Sequence, residues 1–134
     1  MRLFKNRAAA PQPLGPLEVT VMEILWTHGE NNVRDVVDRL GRPLAYTTVM
    51  TTLTRLHDKG ALTRELSGRA YAYRLTGDRA EVGASVTAHR MRRLLDAGED
   101  RAGVLARFVA TLSPSDERLL ADLLAEGHRR EDPL

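Results

Sequence analysis

Residues 46–60 read Tyr46-Thr47-Thr48-Val49-Met50-Thr51-Thr52-Leu53-Thr54-Arg55-Leu56-His57-Asp58-Lys59-Gly60. Set about 100° apart on a helix, Tyr46, Val49, Leu53 and Leu56 share a narrow arc, the side expected to pack on neighbouring elements. The opposite arc carries Thr47, Thr48, Met50, Thr51, Thr54 and Arg55. Threonine is a poor helix former, and glutamate or lysine would better suit a merely solvated side. Something other than helix stability accounts for this arc. Short hydroxyl side chains let a helix approach closely, donate to phosphate oxygens or base edges and offer methyls to thymine, and arginine bridges guanine or phosphate. The segment has the make-up of a helix that enters a DNA major groove by its N-terminal end, where Thr47, Thr48 and Thr51 sit.

Upstream, Leu17, Val21, Ile24 and Leu25 repeat at helical spacing up to Gly29, and Val33, Val36, Val37 and Leu40 do the same until Gly41 and Pro43. Glu30-Asn31-Asn32 between them is a polar break whose asparagines suit a helix cap. Gly60 closes the third helix, which spans about 46–59. The period then changes from helical to alternating. Leu62 to Leu66 and Ala70 to Leu75, joined by Ser67-Gly68-Arg69, predict two strands and a tight hairpin. Three helices followed by a hairpin is the winged-helix order. At the hairpin, residues 64–70, the guanidinium groups of Arg64 and Arg69 and the turn at Ser67 would lie against phosphates flanking the groove, a positioning role without base information.

From Thr76 onward the pattern is helical. Val82 and Val86 lead a long helix interrupted near Gly98, and Val104, Leu105, Phe108, Val109 and Leu112 mark a second. Ser113-Pro114-Ser115-Asp116 starts a third, with Ser113 as cap and Pro114 at the first helical position, and it carries Leu119, Leu120, Leu123 and Leu124 on one face. Short helices with such faces have little to bury against in so small an appendage, and a second copy is the natural outlet, the alternative being that they fold back on the head. The expected fold class is therefore mostly α with a small β-hairpin. A basic arm at 1–13, taken as flexible, precedes a winged helix-turn-helix head at 14–75 and a helical dimerisation region at 76–134.

The totals agree with a binding protein. Residues 1–75 hold 11 Lys+Arg against 7 Asp+Glu, and residues 76–134 hold 9 against 11. The basic half suits a polyanion, since phosphate neutralisation releases condensed counterions. Lys5 and Arg7 in the arm would add non-specific affinity. There are no cysteines, which excludes disulfides and thiolate chemistry. No apolar run follows Arg2, Lys5 and Arg7, so a signal peptide is not expected. No stretch approaches the roughly 18 to 20 apolar residues of a membrane helix, so a cytoplasmic location without membrane insertion is expected. His28, His57, His89 and His128 are scattered singly, and no nucleophile elbow, phosphate-binding glycine loop or zinc-protease motif occurs. No catalytic, metal or cofactor site is predicted.

One set of motifs is more specific. Leu14-Gly15-Pro16-Leu17-Glu18, Val21-Met22 and Leu25-Trp26, followed by Ala45-Tyr46-Thr47-Thr48-Val49-Met50-Thr51, Leu53, Arg55-Leu56 and Lys59-Gly60, closely resemble the penicillinase-repressor family, the BlaI/MecI group. The resemblance is close over 14–75; the tail matches only in pattern. It implies a dimeric transcriptional repressor that binds a palindromic operator in double-stranded DNA, one winged helix per half-site, and dimerises through its C-terminal helices. It also implies a membrane-bound sensor protease as partner, which releases such repressors by cutting an Asn-Phe pair in the dimerisation region. The matching candidate release site here is Arg107-Phe108, with arginine in place of asparagine. Copper-responsive relatives carry a C-terminal cysteine cluster, which this chain lacks. From the residues themselves, a winged-helix protein-interaction module and a sequence-independent architectural DNA binder remain open.

Overall fold

A computed structural model of the chain describes residues 14–131. In chain order the elements are α1 (Pro16–His28), β1 (Asn31–Asn32), α2 (Val33–Leu40), α3 (Tyr46–Asp58), β2 (Leu62–Ser67), β3 (Ala70–Leu75), α4 (Arg79–Ala97), α5 (Arg101–Ala110) and α6 (Pro114–Glu131). The described residues form two compact units divided after Met91, within α4. The arm, with Lys5 and Arg7, lies outside the described residues.

Local chemistry explains where the first helices begin. Pro16 opens α1, where a missing N–H costs nothing, and the Glu18 carboxylate accepts from the Gly15 N–H at 2.8 Å. Asn32 caps α2 reciprocally: its Oδ1 accepts from the Asp35 N–H at 2.8 Å, and the Asp35 carboxylate accepts from the Asn32 N–H at 3.0 Å. Gly60 ends α3 with φ of +88°, a left-handed position that side chains rarely adopt. The cap is also sterically reserved, because a Cβ at position 60 would run into the His89 imidazole. Ser85, one turn before His89, donates through Oγ to the Gly60 carbonyl at 2.7 Å.

The sheet has one strand more than the expected hairpin. Asn31 and Asn32 pair antiparallel with Tyr73 and Ala72, giving the order β1-β3-β2. The polar break between α1 and α2 is thus both a helix cap and an edge strand. A strand of two residues has no periodicity to detect, and its pairing exists only once β3 is in place. Its position is fixed by side chains as well: the Asn31 amide donates to the Gly29 carbonyl at 2.9 Å, and Arg39 donates to Asn31 Oδ1 at 2.9 Å and to His28 Nδ1 at 2.8 Å.

The core of the first unit is a single cluster. Val21 and Leu25 of α1, Val33 and Val36 of α2, and Val49, Leu53 and Leu56 of α3 meet Leu62 of β2 and Tyr73 of β3. Val82 and Val86 of α4 close it. Tyr46, expected on the packed arc, departs from it: the side chain is 40% exposed. It is the first residue of α3, one turn before the buried Val49, and its ring lies instead under the Arg34 guanidinium, 5.4 Å from the centroid. Besides the apolar cluster, one ion pair ties α1 to α3. Lys59 Nζ donates to both Glu18 oxygens at 2.8 and 3.1 Å, with the Glu18 side chain only 11% exposed. Glu18 sits in the first turn of α1 and Lys59 at the end of α3, so each also faces the helix terminus that favours its charge.

The second unit is different in kind. Asp100 caps α5 by accepting from the Gly103 N–H at 2.9 Å, and Ser113 caps α6 by accepting from the Asp116 N–H at 3.1 Å. The hydrogen bond from Arg101, aided by Arg92, holds the Asp96 carboxyl below its ordinary range. Neither α5 nor α6 buries a single residue. Val104, Leu105, Phe108 and Val109 on α5 and Leu119, Leu123 and Leu124 on α6 are all more than 40% exposed.

Two stability outcomes follow from the first unit. Leu53→Ala empties a fully enclosed site and is expected to cost about 3 kcal/mol, read as a lower denaturation midpoint. Lys59→Met strands the largely buried Glu18 carboxylate and is expected to cost about 1.5 kcal/mol. Glu18→Gln added to Lys59→Met should restore part of that loss; a double variant less stable than Lys59→Met would show that the ion pair is not the source.

Candidate nucleic-acid interface

The orientation of α3 follows from its packed stripe. With Val49, Leu53 and Leu56 at 0% exposure, the opposite side has to face out. Thr47, Thr48, Met50, Thr51 and Arg55 are exposed and Thr54 is half-buried. These six residues, singled out from sequence, lie on the side of α3 away from the buried Val49, Leu53 and Leu56, five of them exposed and Thr54 partly covered. Thr52 belongs to neither side. It is 6% exposed and turns its hydroxyl back onto its own helix, donating to the Thr48 carbonyl at 2.8 Å.

The threonine surface borders a cleft of about 430 Å³, with Thr47, Thr48, Thr51, Thr52 and Arg55 on one wall and Gly15, Pro16, Leu17 and Glu18 at the start of α1 on the other. A carboxylate in such a cleft would repel phosphate. Glu18 is neutralised there by Lys59 and held by the Gly15 N–H, so the wall is left nearly neutral. The charge pattern of α3 itself favours an anion at its N-terminal end. Its first turn holds no acidic residue, and Ala45 at the cap position offers no side-chain acceptor to the leading amides. His57, at the far end, is half-buried and lies 3.4 Å from Asp58.

The hairpin presents the second group. The register pairs Ser67 with Ala70, leaving Gly68 and Arg69 as a two-residue turn. Gly68 has φ of +66° and no non-glycine residue in the described chain has positive φ, so glycine stands where the tight hairpin turn requires it. Ser67 and Arg69 are exposed at this tip. Arg64 lies further back on β2, and its guanidinium rests 4.2 Å from the Tyr71 ring centroid. Near the base of the same face Leu62 and Tyr73 enter the core, while toward the tip Leu66 and Tyr71 are 65% and 41% exposed. Arg64, Ser67 and Arg69 are therefore on one hairpin, though Arg64 is anchored on an aromatic ring and not at the turn.

Arg107 and Phe108 are both exposed, inside the ten-residue helix α5. They belong to the second compact unit. Arg34 and its contact with Tyr46 were not foreseen. The available signal was the placement of a cation in the first turn of α2, where the helix dipole disfavours it. Among the described residues no group of three or more His, Cys, Asp or Glu side chains is arranged to hold a metal ion, and no helix is long and apolar enough to cross a membrane.

Known proteins bear directly on this arrangement. The penicillinase repressor family model matches residues 14–126. The chain is 36% identical over 126 residues to the transcriptional regulator BlaI of Mycobacterium tuberculosis, covering 90% of this chain and 91% of that protein. It is 34% identical over 58 residues to the penicillinase repressor of Bacillus licheniformis, covering 42% of this chain and 45% of that one. Among solved structures, that of the DNA binding domain of the repressor BlaI is 32% identical, with a TM-score of 0.47 over 53% of this chain and 88% of the other. A match that runs from the start of α1 into α6 encompasses both compact units, and the chain belongs to the penicillinase repressor family.

Proposed function

We propose that this chain is a DNA-binding transcriptional repressor, acting in the cytoplasm as a homodimer on a palindromic operator. The observation that carries the reading is the exposed hydroxyl-and-arginine side of α3, set outward by complete burial of Val49, Leu53 and Leu56. In the proposed complex α3 enters the major groove, Thr47, Thr48, Met50, Thr51, Thr54 and Arg55 face base edges, and Arg64, Ser67 and Arg69 meet the flanking backbone. The chain is a regulator, and its chemistry is recognition and not turnover.

The head assigned to 14–75 supplies the DNA surface and the region 76–134 supplies the partner surface. The apolar faces of α5 and α6 support a second copy as partner, because helices that bury nothing in one chain gain by burying their leucines against an identical pair. Two heads on one dimer fit two half-sites of inverted symmetry. Release by a membrane-bound sensor protease would act at Arg107-Phe108, and the bond lies mid-helix, so cleavage requires local unwinding of α5.

Affinity for a duplex selected from a random pool and for a scrambled duplex of equal length, measured as salt is raised, tests the reading. A repressor prefers the selected duplex and weakens steeply with salt. An architectural binder shows the salt dependence without the preference, and a protein-interaction module binds neither duplex. Thr51→Ala and Arg55→Ala should each reduce affinity for the selected duplex by roughly tenfold, with little change on the scrambled one. Equal losses on both would make these side chains phosphate contacts. For the second unit, Leu123→Glu combined with Phe108→Glu should shift the sedimenting species to monomer and weaken operator binding while the head stays folded. A dimer that survives both charges would place the interface elsewhere.

A further inference from the structure

Arg34 is an exposed cation whose position is unfavourable by local rules. It follows the Asn32 cap by two residues, in the first turn of α2, where the helix dipole disfavours positive charge. Asp38 stands one turn further along the helix, yet Arg34 takes part in no ion pair among the described residues; the contact it makes is with the Tyr46 ring, 5.4 Å from the centroid. That ring is itself 40% exposed, at the first position of α3 and directly before Thr47 and Thr48. A guanidinium held over an aromatic face by cation–π attraction leaves the five N–H donors, which lie in the guanidinium plane, available at its edges. It is held in one place at little further cost in side-chain entropy.

Resting on the repressor reading above, we propose that Arg34, steadied by Tyr46, is a clamp for a DNA phosphodiester at the edge of the groove entered by α3. The stack sets the guanidinium beside the N-terminal end of α3, the end that approaches the bases. This end has no acidic residue in its first turn, so nothing on that turn competes with phosphate for the arginine. A planar, bidentate donor on a fixed platform suits a tetrahedral anion, and it places the helix along the groove without reading sequence. The hairpin residues Arg64, Ser67 and Arg69 lie on a different element, so the two contacts would bracket α3 from separate sides of the sequence.

The test uses the full chain with the selected and scrambled duplexes over a salt series. Arg34→Gln should weaken both complexes by a similar factor, roughly tenfold at low salt, and make the slope of log affinity against log salt shallower by about 0.9. Arg34→Lys should keep the slope but not the full affinity, because an ammonium neither stacks nor bridges in the same way. Tyr46→Leu should reduce affinity with the slope unchanged, the charge being present but no longer held. An unaltered slope in Arg34→Gln overturns the clamp. So does a loss confined to the selected duplex, which would make Arg34 a base reader, or a lower melting temperature with unchanged DNA affinity, which would make the stack a brace between α2 and α3. If the wild-type chain binds neither duplex, the repressor reading itself fails and the clamp with it; if the wild type binds and only the Arg34 variants are indifferent, the clamp alone is lost.

Discussion

A helix that buries one stripe completely has no freedom left in how it presents the rest. Val49, Leu53 and Leu56 are shut off from water among residues of α1, α2 and the sheet, and rotating α3 by even part of a turn would pull them out at a cost of about 2 kcal/mol for each large side chain exposed. The threonine side is outward because the leucine side is inward. In the proposed complex recognition is a by-product of packing: the surface residues contribute little to the fold, and the fold determines their aim.

The features around α3 serve the same end. The Glu18–Lys59 pair joins the start of α1 to the end of α3 and removes a negative charge from the cleft beside the threonines. Gly60, with the His89 imidazole over it and Ser85 donating to its carbonyl, ends the helix where the chain must turn into β2. Asn31 and Asn32 hold the third strand against β3, so the hairpin is anchored on the same sheet that encloses the core. Each of these contacts is modest by itself. Together they restrict the relation between α3 and the hairpin.

The second unit obeys an opposite logic. Its helices are well capped, by Asp100 and by Ser113, yet they bury no residue within the chain. Helices of ten and eighteen residues gain most of their stability from packing and little from propensity, and a bare leucine-rich face is what supports the proposal of a second copy as partner. The first unit thus encloses its apolar core, whereas α5 and α6 of the second carry their apolar faces exposed.

Much of this was legible in the residues. The spacing of Val21, Leu25, Val36, Leu53 and Leu56 identified the three head helices, the Gly60 and Gly68 positions marked the turns, and Ser113-Pro114 marked the start of α6, because periodicity and capping are local properties. The outward residues of α3 followed once the apolar arc was drawn. Other features were decided only by contacts between distant segments. β1 exists because β3 offers it hydrogen bonds; Tyr46 lies out of the core, where Arg34 supplies a partner; Lys59 meets Glu18 across 41 positions of chain. Sequence by itself determined the apolar stripe of each head helix and hence, Tyr46 apart, which side α3 would show. Tertiary structure decided which exposed residues stand next to each other, since adjacency across elements depends on how helices cross, a quantity that no local spacing encodes.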